Sequence, residues 1–238
     1  LYTNTTGASN TASGTCALFT NTTGFENTAT GYKAMCLSTT GCRNTASGSY
    51  ALAYVTTGIK NSAHGAYALK SNSTGSYNTA SGYRALFANT TGVKNTTSGW
   101  NSMITNSTGQ ENSSFGSESL NLNTTGSNNV AMGSGSSYKN TTGGLNVALG
   151  RAALYNNTTA GNNTAVGSCT LYSNTTGASN TAVGMNALFT NTTASQNTAV
   201  GTAALLANTT GTQNTASGYK ALYANTTGNH NSAFGLRS

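Results

Sequence analysis

The chain has 238 residues, a net charge of +7 and only 5% charged residues, against about 25% in an average domain. Proline is absent, and with no Asp and only Glu26, Glu111 and Glu118 the composition argues against paired-carboxylate catalysis and an acidic calcium site. The ten Lys and Arg are spread thinly from Lys33 to Arg237 and lack the clustering of a nucleic-acid binder, so no nucleic-acid partner is expected. No apolar run is long enough for a membrane span, so no insertion of this segment is expected.

A strict period of seventeen residues organises everything else, and fourteen repeats account for all 238 positions. We number positions within a repeat one to seventeen from Leu1. Because the chain is in phase with its repeat at both ends, we expect one continuous solenoid over 1–238 and a segment of a longer array. Position one is Leu, Met or, once, Ser137. Position two favours aromatics: Tyr2, Phe19, Phe87, Tyr138, Tyr155, Tyr172, Phe189 and Tyr223. Positions four to seven read Asn-Thr-Thr-Gly, with Thr at position six in every repeat. Position ten is always Asn, position twelve is nearly always Ala, position fourteen is always Gly, and position seventeen is always small.

A unit so rich in Gly, Asn and Thr has poor helix propensity and lacks an i, i+3, i+4 apolar stripe. Two short strands per repeat fit instead. One covers positions ten to thirteen, as in Asn180-Thr181-Ala182-Val183, with alternate residues on opposite faces. Glycines such as Gly14, Gly31, Gly184, Gly201 and Gly218 then turn the chain where a Cβ would obstruct it. The second strand runs from position fifteen to position three, as in Met185 to Thr190. The Asn-Thr-Thr-Gly segment closes the rung. The predicted fold is therefore all-β: a single-stack parallel β-solenoid, or β-roll, of fourteen rungs. At about 4.8 Å per rung the stack would be about 65–70 Å long. Positions seventeen and one both need to face inward although they are adjacent, which requires a kink between them.

The constant Asn column is expected to form a side-chain ladder, seen at Asn10, Asn27, Asn44, Asn180, Asn197 and Asn214. The constant Thr at position six is a candidate hydroxyl ladder. Ten of the thirteen charges fall at positions nine and sixteen, which marks both as solvent-facing columns. Glu26, Arg43 and Lys60 occupy position nine in consecutive repeats, as do Lys94 and Glu111.

Three repeated features are candidates for function. Asn-x-Thr acceptors occur at Asn4, Asn21, Asn72, Asn89, Asn106, Asn123, Asn140, Asn157, Asn174, Asn191, Asn208 and Asn225. These are glycosylation sites if the side chains face water, and corner residues otherwise; hydroxyl-linked sugars on the threonines are a parallel option. The aromatic column (Tyr2, Phe19, Tyr138, Tyr155, Tyr172, Phe189 and Tyr223) either covers the core edge or stacks on surface glycans or a neighbouring fibre. The Thr-rich corner is also weighed as an ice-binding face, but adjacent threonines in a turn lack the flat Thr-x-Thr spacing. Catalytic residues, metal ligands and cofactors are not expected: His64 and His230 are ten rungs apart, and Cys16, Cys36, Cys42 and Cys169 form no CxxC pair. A disulfide among the first three remains open.

Asn129-Val130-Ala131-Met132-Gly133 and Asn146-Val147-Ala148-Leu149-Gly150 resemble the NxVAxG core of YadA-like head repeats in trimeric autotransporter adhesins. Related repeats occur in bacterial surface proteins and phage tail fibres. The resemblance runs through all fourteen repeats. It implies a left-handed β-roll, a cell-surface or virion-fibre location, and a trimer. The seventeen-residue unit is longer than the usual one. Position thirteen, apolar and trimer-facing in that family, is mixed here: Val at Val166, Val183 and Val200, but Ser at Ser13, Ser47, Ser81, Ser98 and Ser217, and His at His64. The apolar stretch from Phe115 to Val200 is a candidate association face. The expected role is thus a non-enzymatic structural component of an extracellular fibre or adhesin, self-associating end to end or laterally. The alternative is a glycan-binding tail-fibre or receptor-binding module.

Overall fold

The computed structural model describes residues 1–238. The chain is an all-β solenoid with one three-residue strand per repeat and no helix. It divides into two compact units, Leu1–Ser113 and Ser114–Ser238.

In the first unit the strands are β1 (Thr11–Ser13), β2 (Thr28–Thr30), β3 (Thr45–Ser47), β4 (Ser62–His64), β5 (Thr79–Ser81) and β6 (Thr96–Ser98). Each pairs in parallel with the next at a register of one repeat, so Ala12 lies beside Ala29 and Ala29 beside Ala46. Strand β7 (Ser113–Phe115) spans the division between the units. The second unit contains β8 (Val130–Met132), β9 (Val147–Leu149), β10 (Thr164–Val166), β11 (Thr181–Val183), β12 (Thr198–Val200), β13 (Thr215–Ser217) and β14 (Ser232–Phe234), paired in the same register.

The expected second strand, from position fifteen to position three, does not form. Positions sixteen and one both take left-handed backbone, as at Asn186 (φ 59°) and Leu188 (φ 51°). Two turns bracket them: Ala187 N–H donates to Gly184 O at 3.2 Å and Asn191 N–H to Leu188 O at 3.2 Å. Backbone bonds to neighbouring rungs continue through the segment but change direction. Asn186 N–H reaches back to Ser168 O at 3.1 Å, whereas Leu188 N–H reaches forward to Ala204 O at 3.0 Å. Left-handed residues break the two-residue alternation of a strand. This is the kink that lets Ala187 and Leu188, adjacent in sequence, both be fully buried. A third left-handed residue recurs at position nine, as at Gln196 (φ 61°).

Each unit has a lean core. The first buries Leu18, Met35, Leu52, Leu69, Leu86 and Met103 against Ala at positions twelve and seventeen. The second packs Leu154, Leu171, Leu188 and Leu205 against Ala columns such as Ala165, Ala182, Ala187 and Ala199. Large columns facing small ones suit the close packing that a protein interior requires. Where position twelve carries a hydroxyl, position seventeen of the same repeat does too. Thr97 bonds Ser102 in the first unit, and Ser114 bonds Ser119 in the second, so neither buried hydroxyl is left without a partner.

Candidate functional site

The repeat separates into an inner set of near-constant residues and an outer set of variable ones. On the inside, the position-ten asparagines are joined rung to rung. Asn180 Oδ1 accepts the backbone N–H of Asn197 at 3.0 Å, and Asn180 Nδ2 donates to Ala194 O at 2.8 Å and Asn163 Oδ1 at 3.2 Å. Asn27, Asn44, Asn197 and Asn214 are held likewise and are fully buried, while Asn10, in the first repeat, is half-buried and receives Asn27 N–H at 3.0 Å.

A second ladder, not anticipated, runs along position four. Asn191 Nδ2 donates to Asn174 Oδ1 at 2.8 Å and to Ala194 O at 3.0 Å, so the position-seven carbonyl receives both ladders. Asn21, Asn72, Asn89, Asn106, Asn123, Asn140, Asn157, Asn174, Asn191 and Asn208 are at most 1% exposed. Their amide nitrogens are committed to bonds such as Asn89 Nδ2 to Asn72 Oδ1 at 2.7 Å. The condition for N-glycosylation, an amide facing water, is therefore not met at these ten positions; Asn4 is exposed and Asn225 half-buried. The hydroxyl column is also displaced by one residue from position six. Position five makes it, as Thr22 Oγ1 to Thr39 O at 3.0 Å and Thr175 Oγ1 to Thr192 O at 3.1 Å. Position-six Thr is exposed in every repeat, and nothing in the structure explains its constancy.

Gly14, Gly31, Gly184, Gly201 and Gly218 all have φ between 125° and 136°. A Cβ on Gly184 would sit 2.6 Å from the backbone carbon and oxygen of Gly201 in the next rung. Only glycine combines this φ with that approach.

On the outside, position nine stacks by charge. Arg43 Nε meets Glu26 at 2.9 Å and Lys94 Nζ meets Glu111 at 2.9 Å, each one repeat apart. Both cations are held above their ordinary values, chiefly by the hydrogen bond to the carboxylate, and both pairs are exposed. Such pairs contribute about 0–1 kcal/mol each.

Position two forms a continuous aromatic stack in the second unit. Tyr138–Tyr155, Tyr155–Tyr172 and Tyr172–Phe189 have ring centroids 5.1, 5.3 and 5.2 Å apart and are within 13° of parallel. Burial, then the neighbouring Tyr138 and Tyr172, pushes the Tyr155 phenol up. In the first unit Tyr2 stacks on Phe19 at 5.1 Å. Tyr223 takes no part in the stack and instead lies under Lys220, 5.1 Å from its ring centroid. All four cysteines are free thiols.

Sequence reasoning missed a second aromatic cluster in the first unit: Tyr32, Tyr50, Tyr67 and Tyr83, interleaved with Lys33, Lys70 and Arg84. Tyr50 and Tyr67 stack at 5.3 Å and 5°, and Tyr32 and Tyr83 meet them edge-on. Lys33 is held above its ordinary value, first by its hydrogen bond to Tyr32. The signal was present. Tyr32 and Tyr83 share position fifteen, and Tyr50 and Tyr67 share position sixteen. Position sixteen mixes charges with tyrosines, so a reading that gives each column one chemistry passes over the cluster.

Fold and surface together define a tandem-repeat β-solenoid with a constant, amide-laddered interior and variable outward columns. No family model matches the chain, and neither does any curated protein or solved structure. The likeness to YadA-like head repeats rests on the residues quoted above.

Proposed function

We propose that the chain is a non-enzymatic structural segment of a fibre or adhesin, exposed at a cell surface or on a virion, that works by presenting a regular surface and associating side by side with further copies. The observation that carries this is the outward column at position thirteen. In the second unit it reads Phe115, Met132, Leu149, Val166, Val183 and Val200, six apolar residues in a row, before Ser217 and Phe234 end the column. Phe115, Met132 and Val200 are exposed and the other three half-buried. In the first unit the same column reads Ser13, Thr30, Ser47, His64, Ser81 and Ser98. The fold therefore does not need apolar residues here, and their contiguity in one unit calls for a partner surface.

Five steps of about 4.8 Å make the strip about 24 Å long. One file of six side chains falls well short of the ~800 Å² per partner that a stable pair buries. The contact therefore recruits flanking residues such as Val130, Val147 and the exposed Met185. Sedimentation of the chain over a concentration series tests this. Reversible association to dimers or trimers is expected, and Val166→Lys with Val183→Lys should abolish it. A monomer at all concentrations, or association unchanged by both lysines, would overturn the proposal.

A further inference from the structure

The first unit carries three cations on one face with no counter-charge. Lys70 Nζ lies 5.6, 5.4, 5.5 and 5.3 Å from the ring centroids of Tyr50, Tyr54, Tyr67 and Phe87. Lys33 Nζ lies 5.3 Å from Tyr32 and 5.5 Å from Tyr50, and the Arg84 guanidinium 5.4 Å from Tyr83. The unit's two acids, Glu26 and Glu111, are engaged elsewhere, with Arg43 and Lys94 at position nine. Rings steady these cations, but a ring quadrupole does not neutralise a charge. Beside Lys33 is a cavity of about 170 Å³ walled by Cys36, Leu37, Tyr50, Ala53 and Tyr54. Drug-sized pockets measure about 300–1,000 Å³, so this one has room for a single ring. Its walls are mainly apolar and aromatic, and Lys33 is its one charged residue.

We propose that this face binds an acidic polysaccharide. One sugar ring fills the cavity with its apolar face against Tyr54, beside the Tyr50 rim, and its carboxylate or sulfate on Lys33. The polymer runs along the solenoid axis so that later acidic groups meet Lys70 and Arg84. The sign of the ligand follows from the uncompensated cations. Its ring size follows from the cavity, and its apolar ring face from the aromatic walls. Its length follows from the recurrence of cations: Lys33 and Arg84 share position sixteen three rungs apart, about 14 Å.

A single-stranded nucleic acid also pairs cations with rings, but it needs open ring faces on which bases stack. Tyr50 and Tyr67 cover each other at 5.3 Å, and Tyr32 and Tyr83 cap them edge-on. The face involved lies wholly in the first unit, so the inference is independent of association through position thirteen.

The test is calorimetric titration of the full chain at low salt with alginate, a polyuronate, against dextran and oligothymidylate. Binding of alginate alone is expected. Lys33→Gln, Lys70→Gln and Arg84→Gln together should weaken it at least tenfold. Lys139→Gln, Arg151→Gln and Lys220→Gln, which remove the same charge from the second unit, should weaken it less than threefold. Tyr54→Ala, which leaves charge unchanged, should weaken it about fivefold, with circular dichroism confirming the fold. No alginate binding, equal loss in both triple variants, no effect of Tyr54→Ala, or tighter binding of oligothymidylate would each overturn the proposal.

Discussion

Asn180→Asp exchanges one side-chain NH₂ for an oxygen and changes almost nothing else in shape. In the folded chain that NH₂ donates to Ala194 O at 2.8 Å and Asn163 Oδ1 at 3.2 Å, and Asn180 is fully buried. The new oxygen would face two acceptors with no cation nearby. The other oxygen would keep its bond from Asn197 N–H, now 3.0 Å. Burial of a carboxyl in such a place raises its pKa by about 3–5 units from about 3.9. A folded pKa above the unfolded one means stability that is fully present below pH ~4 and is lost as pH rises toward the folded value. At pH 7, about three units above the unfolded pKa, the loss is about 4 kcal/mol at 1.36 kcal/mol per unit. At pH 3 the protonated carboxyl can donate to Ala194 O, and only about 1 kcal/mol is missing, the worth of the lost second bond. Denaturant unfolding of variant and parent at pH 3 and pH 7 measures the difference. Asn180→Ala should be destabilised by a similar amount at both pH values, because Asn197 N–H is then orphaned regardless of pH. A variant with Asp that is equally stable at both pH values, or more stable at pH 7, would refute the ladder as a neutral donor–acceptor chain. The same reasoning accounts for a chain with fourteen such asparagines and no Asp.

Three further outcomes follow from the same geometry. Asn21 Oδ1 and Ser38 Oγ are buried without partners because Ser38 and Val55 interrupt the position-four ladder; Ser38→Asn with Val55→Asn should raise stability by about 1–3 kcal/mol, and Ser38→Asn alone by less. Ala203, at position sixteen with φ 59°, should be stabilised by about 0.5–1 kcal/mol on Ala203→Gly and destabilised on Ala203→Val, the reverse of the usual glycine effect. The Tyr155 phenol is held above its ordinary value, so the stack's stability should be constant below pH ~10 and fall as pH rises through the folded pKa. Tyr155→Phe should flatten that fall in alkaline denaturation; an unchanged slope would mean that Tyr155 does not titrate in the stack.

The strand and its glycine were legible because period two survives there: Thr181 and Val183 face out while Ala182 is fully buried. The segment after the glycine was not legible, because alternation was assumed where the backbone turns left-handed. A trace of it was nevertheless in the sequence. Positions nine, sixteen and one never hold Val, Ile or Thr, although Thr fills so many other positions. β-branched residues tolerate left-handed backbone worst, so their exclusion marks it. The position-four ladder was misjudged for another reason. Asn-Thr-Thr-Gly has corner composition, and a lone Asn belongs outside. In a stack, each amide finds its donor and acceptor on the copies above and below, so burial leaves nothing unpaired. Val55 was the clue, since an apolar residue substituting for Asn argues for an interior column.

The division between inner and outer positions explains how one fold carries two different faces. Stability in a solenoid sums over rungs and nearest-neighbour interfaces, and here those interfaces are the two Asn ladders, the Leu and Ala columns and the backbone bonds. Positions two, nine, thirteen, fifteen and sixteen lie largely outside that sum, where substitutions usually stay within about ±0.5 kcal/mol. The first unit uses them for rings and unpaired cations above a polar position-thirteen column. The second uses them for a parallel aromatic stack and an apolar column. Neither choice disturbs Leu or Ala on the inside, which stay fully buried at Leu52 and Ala63 as at Leu188 and Ala199. Position-six Thr breaks this pattern. It is exposed in every repeat, and yet does not vary; Ser76 and Ser127 donate to the Thr74 and Thr125 carbonyls and leave the hydroxyls untouched. Constancy without an inner partner places whatever requirement fixes it on the solvent side of the corner.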